Sequence, residues 1–434
     1  MKKILASVFI LLFLAGTLAL FAAGKQETAE KEQINLIVWH HAGGHKPVID
    51  GLAAEYQKTH PNISVTQTIF KSYMEATTAV KTAMVGKTGV DIAMEAQGGP
   101  LIELAQNDLV VDLTPYYNKD PDWKNSFYRW VLDEMTVDCK ITGTTVATNG
   151  VQIFYNVNLF KELGLKEPAT LDELKAVNQK VKTKVRTGLG FTAAQLENAA
   201  YPFWWAGGQI AGNKLLRDAD IGKARWDDPK IVESMKYAEE ICHSFFDKET
   251  AALNEPNMIS GFLSGSIGMI IGGMWLNKTF IAGNAQFEIG LFPFPSVKPG
   301  VTKPNAFSAL GVTFGVAQHS KHKEEAIDFI KYITSGERKL EYITQMKLLP
   351  TGPVDPGKLK ARVDAANDPI WSEFVAASEV GTLRFLFTPE LDLAIGRGVQ
   401  RMILKEATAD DLIKEAQQIN DKIGKRNFTL GLCD

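Results

Sequence analysis

The chain has only three cysteines in 434 residues and no excess of either charge, with 47 Lys and Arg against 50 Asp and Glu and a formal net charge of −3. So even a balance leaves no basic field to gather a polyanion, which argues against a nucleic-acid partner. Cys139, Cys242 and Cys433 share no C-x-x-C spacing and are odd in number, so neither a zinc knot nor a disulfide framework is signalled. One bridge with three possible pairings stays open in an oxidising compartment, and buried or free thiols are the plainer expectation. No repeat recurs at a solenoid or propeller period. Beyond the first two dozen residues, no apolar run approaches the ~20 residues that a bilayer span requires.

What is present begins at the N-terminus. Lys2 and Lys3 precede an apolar run from Ile4 to Ala23, and polarity returns at Gly24-Lys25-Gln26-Glu27. A basic start, an apolar middle and small residues at the end describe an export signal over residues 1–24, cleaved near Ala22–Gly24. No cysteine stands at that boundary to carry an acyl anchor. An uncleaved membrane anchor is the alternative, because the run is longer than a usual signal core. The rest, with a chain-wide hydrophobic content of 45%, is long enough for two or three domains with real cores.

Hydrophobic periodicity then predicts strands at Ile34–Trp39, Ile63–Ile69 and Val90–Met94, with helices at Pro47–Tyr56 and Tyr73–Val85 between them. That β-α-β-α-β series implies a parallel sheet covered by helices. Further strands are expected at Thr144–Ala147, Val151–Tyr155, Ser266–Ile271 and Phe287–Leu291. Helices are expected at Asn158–Leu163, Thr170–Val185, Pro229–Phe245, Lys323–Ser335 and Glu337–Met346. Thr170-Leu171-Asp172-Glu173 reads as a capping box. After Pro353 the chain reads as wholly helical, ending with Pro389–Lys405 and Thr408–Lys425. Ala147–Gly150 and Pro304–Gly311 read as crossings between two lobes, and a cleft between α/β lobes is where ligands collect.

Four stretches in order carry a family resemblance. They are Ile34–Trp39 with His40-His41; Gly89–Met94 followed by Leu101–Leu113; Gln152–Phe160 through Thr170–Leu174; and Phe262–Met269 followed by Gly273-Met274-Trp275. Glu325–Ile330 extends the series. Together they resemble the family-one solute-binding proteins of ABC importers, the group that includes maltose-binding protein. Two departures stand out: Gly89-Val90 replaces the family's usual proline, and Asn107-Asp108 its glycine. The resemblance implies an α/β, two-lobed periplasmic-binding-protein fold, each lobe a mostly parallel sheet flanked by helices, with the ligand cleft between the lobes. It implies an N-terminal lobe from residues 34–148 and 311–350 and a C-terminal lobe from 151–306 and 351–430. It also implies a monomer without cofactor or catalysis that closes on a small solute, a sugar by expectation, and then docks on an inner-membrane permease.

A sugar offers flat C–H faces and a rim of hydroxyls, so its site needs aromatic plates and polar side chains. Trp275 stands where the resemblance implies a stacking ring. Trp39, Trp204, Trp205 and Phe385 are the other aromatic candidates, with at most one of the adjacent pair on α-helix facing the cleft. Asn149 sits at the first crossing, and Glu95 and Gln97 at the end of a strand. At least one of His40 and His41 is expected to reach the cleft. Gln195, Glu197 and Asn198 form a polar group before the tryptophan pair, and Arg384 is a further candidate.

Three rival classes compete with this expectation. His40-His41-Ala42-Gly43-Gly44-His45 concentrates three of the seven histidines, but no second His or Cys cluster completes a zinc site. Gly188–Ala193 matches the spacing G-x-G-x-x-A, yet it follows a helix and runs into a polar loop, the wrong context for a dinucleotide. Ser264–Gly268 misses G-x-S-x-G at its first position, and a carboxylate pair for glycoside hydrolysis has no spacing signature. A phosphorylated polyol is the runner-up ligand; it would need cations or helix N-termini, for which His40, His41 and Arg384 are the available groups.

Overall fold

Alternation builds the first strand. In β1 (Ile34–His40) every second side chain, Ile34, Leu36, Val38 and His40, is buried. The computed structural model describes residues 32–94, 98–283, 285–301, 307–355, 358, 362, 382–383, 389–425 and 428–433. Helix α1 (Lys46–Gln57) buries Val48, Ile49, Leu52 and Tyr56, one face at helical spacing, and leads into β2 (Ile63–Ile69). Helix α2 (Tyr73–Val85) starts where the Ser72 side chain accepts from Glu75 N–H, which satisfies one of the four amides a helix start leaves open. Then come β3 (Ile92–Met94), α3 (Gly99–Gln106), the short hairpin β4 (Thr136–Val137) and β5 (Lys140–Ile141), and β6 (Thr144–Thr145).

The second half opens with β7 (Thr148–Asn156), followed by α4 (Val157–Leu163), which Gly164 ends at φ 63°. Helix α5 (Leu171–Val181) follows; Thr170 caps it by accepting from Glu173 N–H. Glu173 Oε2 reaches back to Ala169 N–H rather than to Thr170, so the box closes one residue early. Next are β8 (Thr187–Gly190), α6 (Tyr201–Ile210), α7 (Gly212–Asp220), α8 (Pro229–Phe245), α9 (Glu255–Leu263), β9 (Ile267–Gly273), α10 (Trp275–Ala282) and β10 (Ile289–Phe292). The chain continues through β11 (Phe307–Leu310), β12 (Thr313–Val316), α11 (Lys323–Ile333), α12 (Gly336–Met346), β13 (Thr382–Leu383), α13 (Pro389–Ile403) and α14 (Ala409–Ile423).

Two sheets result, ordered β2-β1-β3-β12-β6 and β13-β11-β7-β9-β8, with β10 also on β7. Both are mixed rather than mostly parallel. β1–β2, β1–β3, β8–β9 and β11–β13 run parallel, whereas β3–β12, β12–β6, β7–β9, β7–β10 and β7–β11 run antiparallel. The reason is connectivity: a strand that enters a sheet straight from the other lobe has no crossover helix to turn it parallel. Thr148-Asn149-Gly150 lies inside β7, so the first crossing is Val146-Ala147, and the second is Gly311-Val312. The two crossings bond each other, Val146 N–H to Val312 O at 3.0 Å and Gly311 N–H to Ala147 O at 2.9 Å. A side chain at position 311 would meet Ala147 O at 2.9 Å, so glycine is required there. Leu349 pairs with Thr148 at a third passage.

Each sheet seeds a core. Leu36, Val38, Ile92, Phe314, Phe329 and Ile330 belong to one, and Ile153, Leu189, Trp205, Ile241, Met269 and Val399 to the other. Full burial of such side chains stabilises by about 1.5–3 kcal/mol each before entropy is charged. Two expectations are overturned. The stretch after Pro353 is not wholly helical, since Thr382–Leu383 pairs with β11; two residues are too few to show a period. Nor are all three thiols free: Cys139 and Cys433 form a disulfide with their Cα atoms 5.1 Å apart. A pair 294 residues apart in sequence has no spacing signature. Cys242 is a buried free thiol, its pKa pushed up by burial. Among the described residues, no helix is long and apolar enough to cross a membrane.

Candidate ligand-binding site

Adjacent residues on a strand point to opposite faces, and this separates the candidates at the end of β1. His40 is fully buried, and its Nε2 is 2.9 Å from Gln67 Oε1 on β2. Gln67 in turn donates to Lys46 O and Asp50, so His40 belongs to the layer between β1 and α1 rather than to an open surface. Trp39, half-buried on the other face, stands edge-on to Phe70 with ring centroids 5.3 Å apart. Gly89 packs under its indole: a Cβ there would lie 3.1 Å from the ring. His41, past the strand, sets its ring edge-on to Tyr73 at 5.4 Å and lines a pocket with Tyr73, Met94, Pro100, Lys81 and Glu103. Glu95 and Gln97, which would continue from Met94, lie outside the described residues.

The three clustered histidines therefore have three separate settings, since His45 Nδ1 is 2.6 Å from Tyr342 Oη. Among the described residues, no group of three or more His, Cys, Asp or Glu side chains converges as a metal site would require.

In the second lobe the structure gathers candidates around the crossings. Asn149 on β7 is half-buried beside Gly311, and its Oδ1 accepts no hydrogen bond from the described residues. Gly273, the last residue of β9, pairs with Val151, and Met274 N–H donates to Gly150 O at 3.0 Å. Asn149 and the start of α10 are thus held side by side. Trp275 opens α10 half-buried, packed against residues of both cores. A Cβ at Gly273 would fall 1.8 Å from a Trp275 ring carbon, so the indole is seated directly on the glycine. Its Nε1–H donates to Glu255 Oε2 at 2.8 Å. Glu255 is the first residue of α9, where the helix dipole favours a carboxylate.

The polar group before the tryptophan pair is partly consumed by the protein. Asn198 is buried and accepts from Tyr201 Oη–H at 3.0 Å. Gln195 caps its turn through its backbone, while its half-buried side-chain Oε1 has no hydrogen-bond partner among the described residues. Its neighbour Ala194 donates to Leu253 O, two residues from Glu255. Glu197 lies on the same turn. Trp204 and Trp205 are corrections to the expected site. Both are fully buried on α6, and Trp205 Nε1–H is spent on Pro295 O at 2.8 Å. Helix α6 is buried from Tyr201 through Gly207, so neither ring has a face to offer. Arg384 and Phe385 lie outside the described residues.

Two residues escaped the sequence reading. Glu255 is tied to Trp275 only by the fold, and nothing local marks it. Gln152 on β7 is 1% exposed, and both its amide atoms lack partners among the described residues. It is a polar residue in an otherwise apolar strand, Val151–Phe154, and that break in pattern was the available signal.

Comparison with known proteins bears on the family and the fold. Residues 42–337 match the family described as bacterial extracellular solute-binding protein. A multiple sugar-binding protein of Streptococcus mutans is 23% identical over 327 residues, which cover 73% of this chain and 75% of that protein. Among solved structures, a chitin oligosaccharide binding protein superposes with a TM-score of 0.76 at 18% identity, covering 89% of this chain and 98% of that one. The ABC substrate-binding protein Lmo0181 of Listeria monocytogenes, in complex with cycloalternan, superposes with a TM-score of 0.74 at 19% identity, covering 91% and 100%.

Proposed function

The chain belongs to the bacterial extracellular solute-binding proteins, and from that membership we propose that it captures a carbohydrate between its lobes and hands it to an ABC importer. The observation that carries the choice of ligand is the seat of Trp275. Its indole rests on Gly273, its N–H is already bonded to Glu255, and it is only half-buried, so what remains to offer is an apolar ring face. Such a face suits the C–H side of a pyranose and holds nothing for a charged amino acid. The amide oxygens of Asn149 and Gln195, both without internal partners, are suited to accept from sugar hydroxyls. The names of the Streptococcus relative and of the chitin-oligosaccharide and cycloalternan binders support the same ligand class.

In this reading the protein works as a monomer without catalysis. Ligand drives closure only through contacts made in the closed state, because a ligand shifts an equilibrium by its differential affinity alone. The closed form then docks on a membrane permease. The N-terminal apolar run serves as an export signal that is removed.

The test is a thermal-shift screen on residues 25–434, unfolded and refolded to strip any carried-over solute. The panel holds mono- and oligosaccharides, glycerol phosphates, amino acids and zinc. A shift confined to one group of sugars is expected. A shift with phosphates or zinc alone would replace the carbohydrate with that ligand.

A further inference from the structure

The C-terminal residues do something that neither crossing between the lobes requires. Helix α14 belongs to the second lobe: Leu412, Ile413 and Ala416 lie in its core, and Gln417 Oε1 accepts from Trp226 N–H at 2.7 Å. Gly424, at φ 76°, turns the chain away. The chain then passes over Gly222, where a Cβ would lie 3.2 Å from Lys425 Cα.

From there the tail lands on the first lobe. Asp138 N–H donates to Thr429 O at 2.9 Å, and Thr429 N–H returns a bond to Asp138 Oδ1 at 2.8 Å. Leu430 bridges Val137, Gly431 N–H donates to Thr136 O at 3.1 Å, and Leu432 N–H to Asp133 Oδ1 at 2.9 Å. The Cys139–Cys433 disulfide then makes the attachment covalent.

The lobes also meet under this tail. Phe428 packs in a small cluster with Ile102 and Val137 from the first lobe and Ile221 from the second. Beside it, Arg217 on α7 pairs with Glu134 of the first-lobe helix Arg129–Glu134, their side chains 18% and 2% exposed. Burial works to lower the Arg217 pKa, and Asp133 and Asp220 oppose it. Parting the lobes here would strand a buried charge, so this contact is one the protein keeps or breaks as a unit.

We propose that the C-terminal tail is a covalent strap that limits how far the two lobes open. Between Gly424 and Thr429 the chain spans five residues, a reach of at most about 18 Å when fully extended. While Thr429 stays bonded to Asp138 the β4–β5 hairpin is held within that reach of the end of α14, and the disulfide keeps it within the nine residues from Gly424 to Cys433, about 32 Å, even if those bonds part. Without it, the tail is held by hydrogen bonds and by the packing of Phe428, Leu430 and Leu432, and an opening motion can peel it away. A restricted open state leaves a larger fraction of molecules near the closed geometry, which tightens apparent affinity for whatever solute the cleft takes.

Small-angle scattering of the ligand-free chain tests this without any sugar, so it stands or falls apart from the carbohydrate reading. Three samples are compared: the oxidised protein, the same protein reduced with a phosphine, and a variant with a six-residue Gly-Ser insertion after Gly424 that keeps the disulfide. Circular dichroism confirms that each is folded. Both the reduced and the lengthened forms are expected to expand, by roughly 1 Å over a radius of gyration of about 22 Å. If the insertion leaves the profile unchanged, the strap does not limit opening, whatever reduction does, and the proposal is overturned.

Discussion

Two regions of the second lobe carry tryptophans only a few strands apart, and they do opposite things with them. On α6, Trp204 and Trp205 are enclosed on every side, and the Trp205 N–H is bonded to a backbone carbonyl. At the end of β9, Trp275 is only half-buried, seated on a glycine and pinned by a carboxylate. The residue type is the same in both places. What differs is whether the protein covers both faces of the ring, and only an uncovered face can be exchanged between water and a ligand.

The comparison can be broken most decisively at Trp205. Replacing it with alanine is expected to cost about 3–5 kcal/mol of folding stability, since it opens a large cavity in the core. Urea denaturation measures it; a loss below 1 kcal/mol would mean that α6 is not core. Trp275→Ala should behave the other way, weakening oligosaccharide binding by ~1–3 kcal/mol while the denaturation midpoint moves little. Titration calorimetry with whichever sugar the screen identifies decides this, and an unchanged affinity removes Trp275 from the site.

A finer version asks whether the seat matters. Glu255→Ala removes the acceptor of the indole N–H and should cost about 1 kcal/mol of affinity, with Glu255→Gln retaining most of it. Equal losses in the two variants would show that the hydrogen bond does not orient the ring. The smallest effect is expected from a chelator. Because His40, His41 and His45 have separate partners, EDTA should leave sugar affinity where it was, and a fall would restore the histidine loop as a metal site.

Much of the architecture was legible before any coordinates. Ile63–Ile69, Tyr73–Val85 and Pro229–Phe245 form as their periodicity predicts, to the residue. These segments carry period-2 or period-3.6 patterns that can be read locally. What failed had no local period: the two-residue strand Thr382–Leu383, the antiparallel entry of β7 and β12 into their sheets, and the exact point of each crossing. Candidate site residues were legible by type and only partly by place. His40 and His41 are neighbours in sequence, yet one lies in the layer beneath β1 and the other beside Tyr73.

The amino-acid sequence by itself determined the export-like start, the alternation of strands and helices, the lack of a field for polyanions, and an ordered set of motifs shared with one family. Those properties are sums over local residues, and a linear pattern carries them. The tertiary structure alone decided which tryptophan keeps an open face, that Glu255 holds it, and that Cys139 meets Cys433. Each of these depends on contacts between residues far apart in the chain, and only the closing of the fold sets those distances.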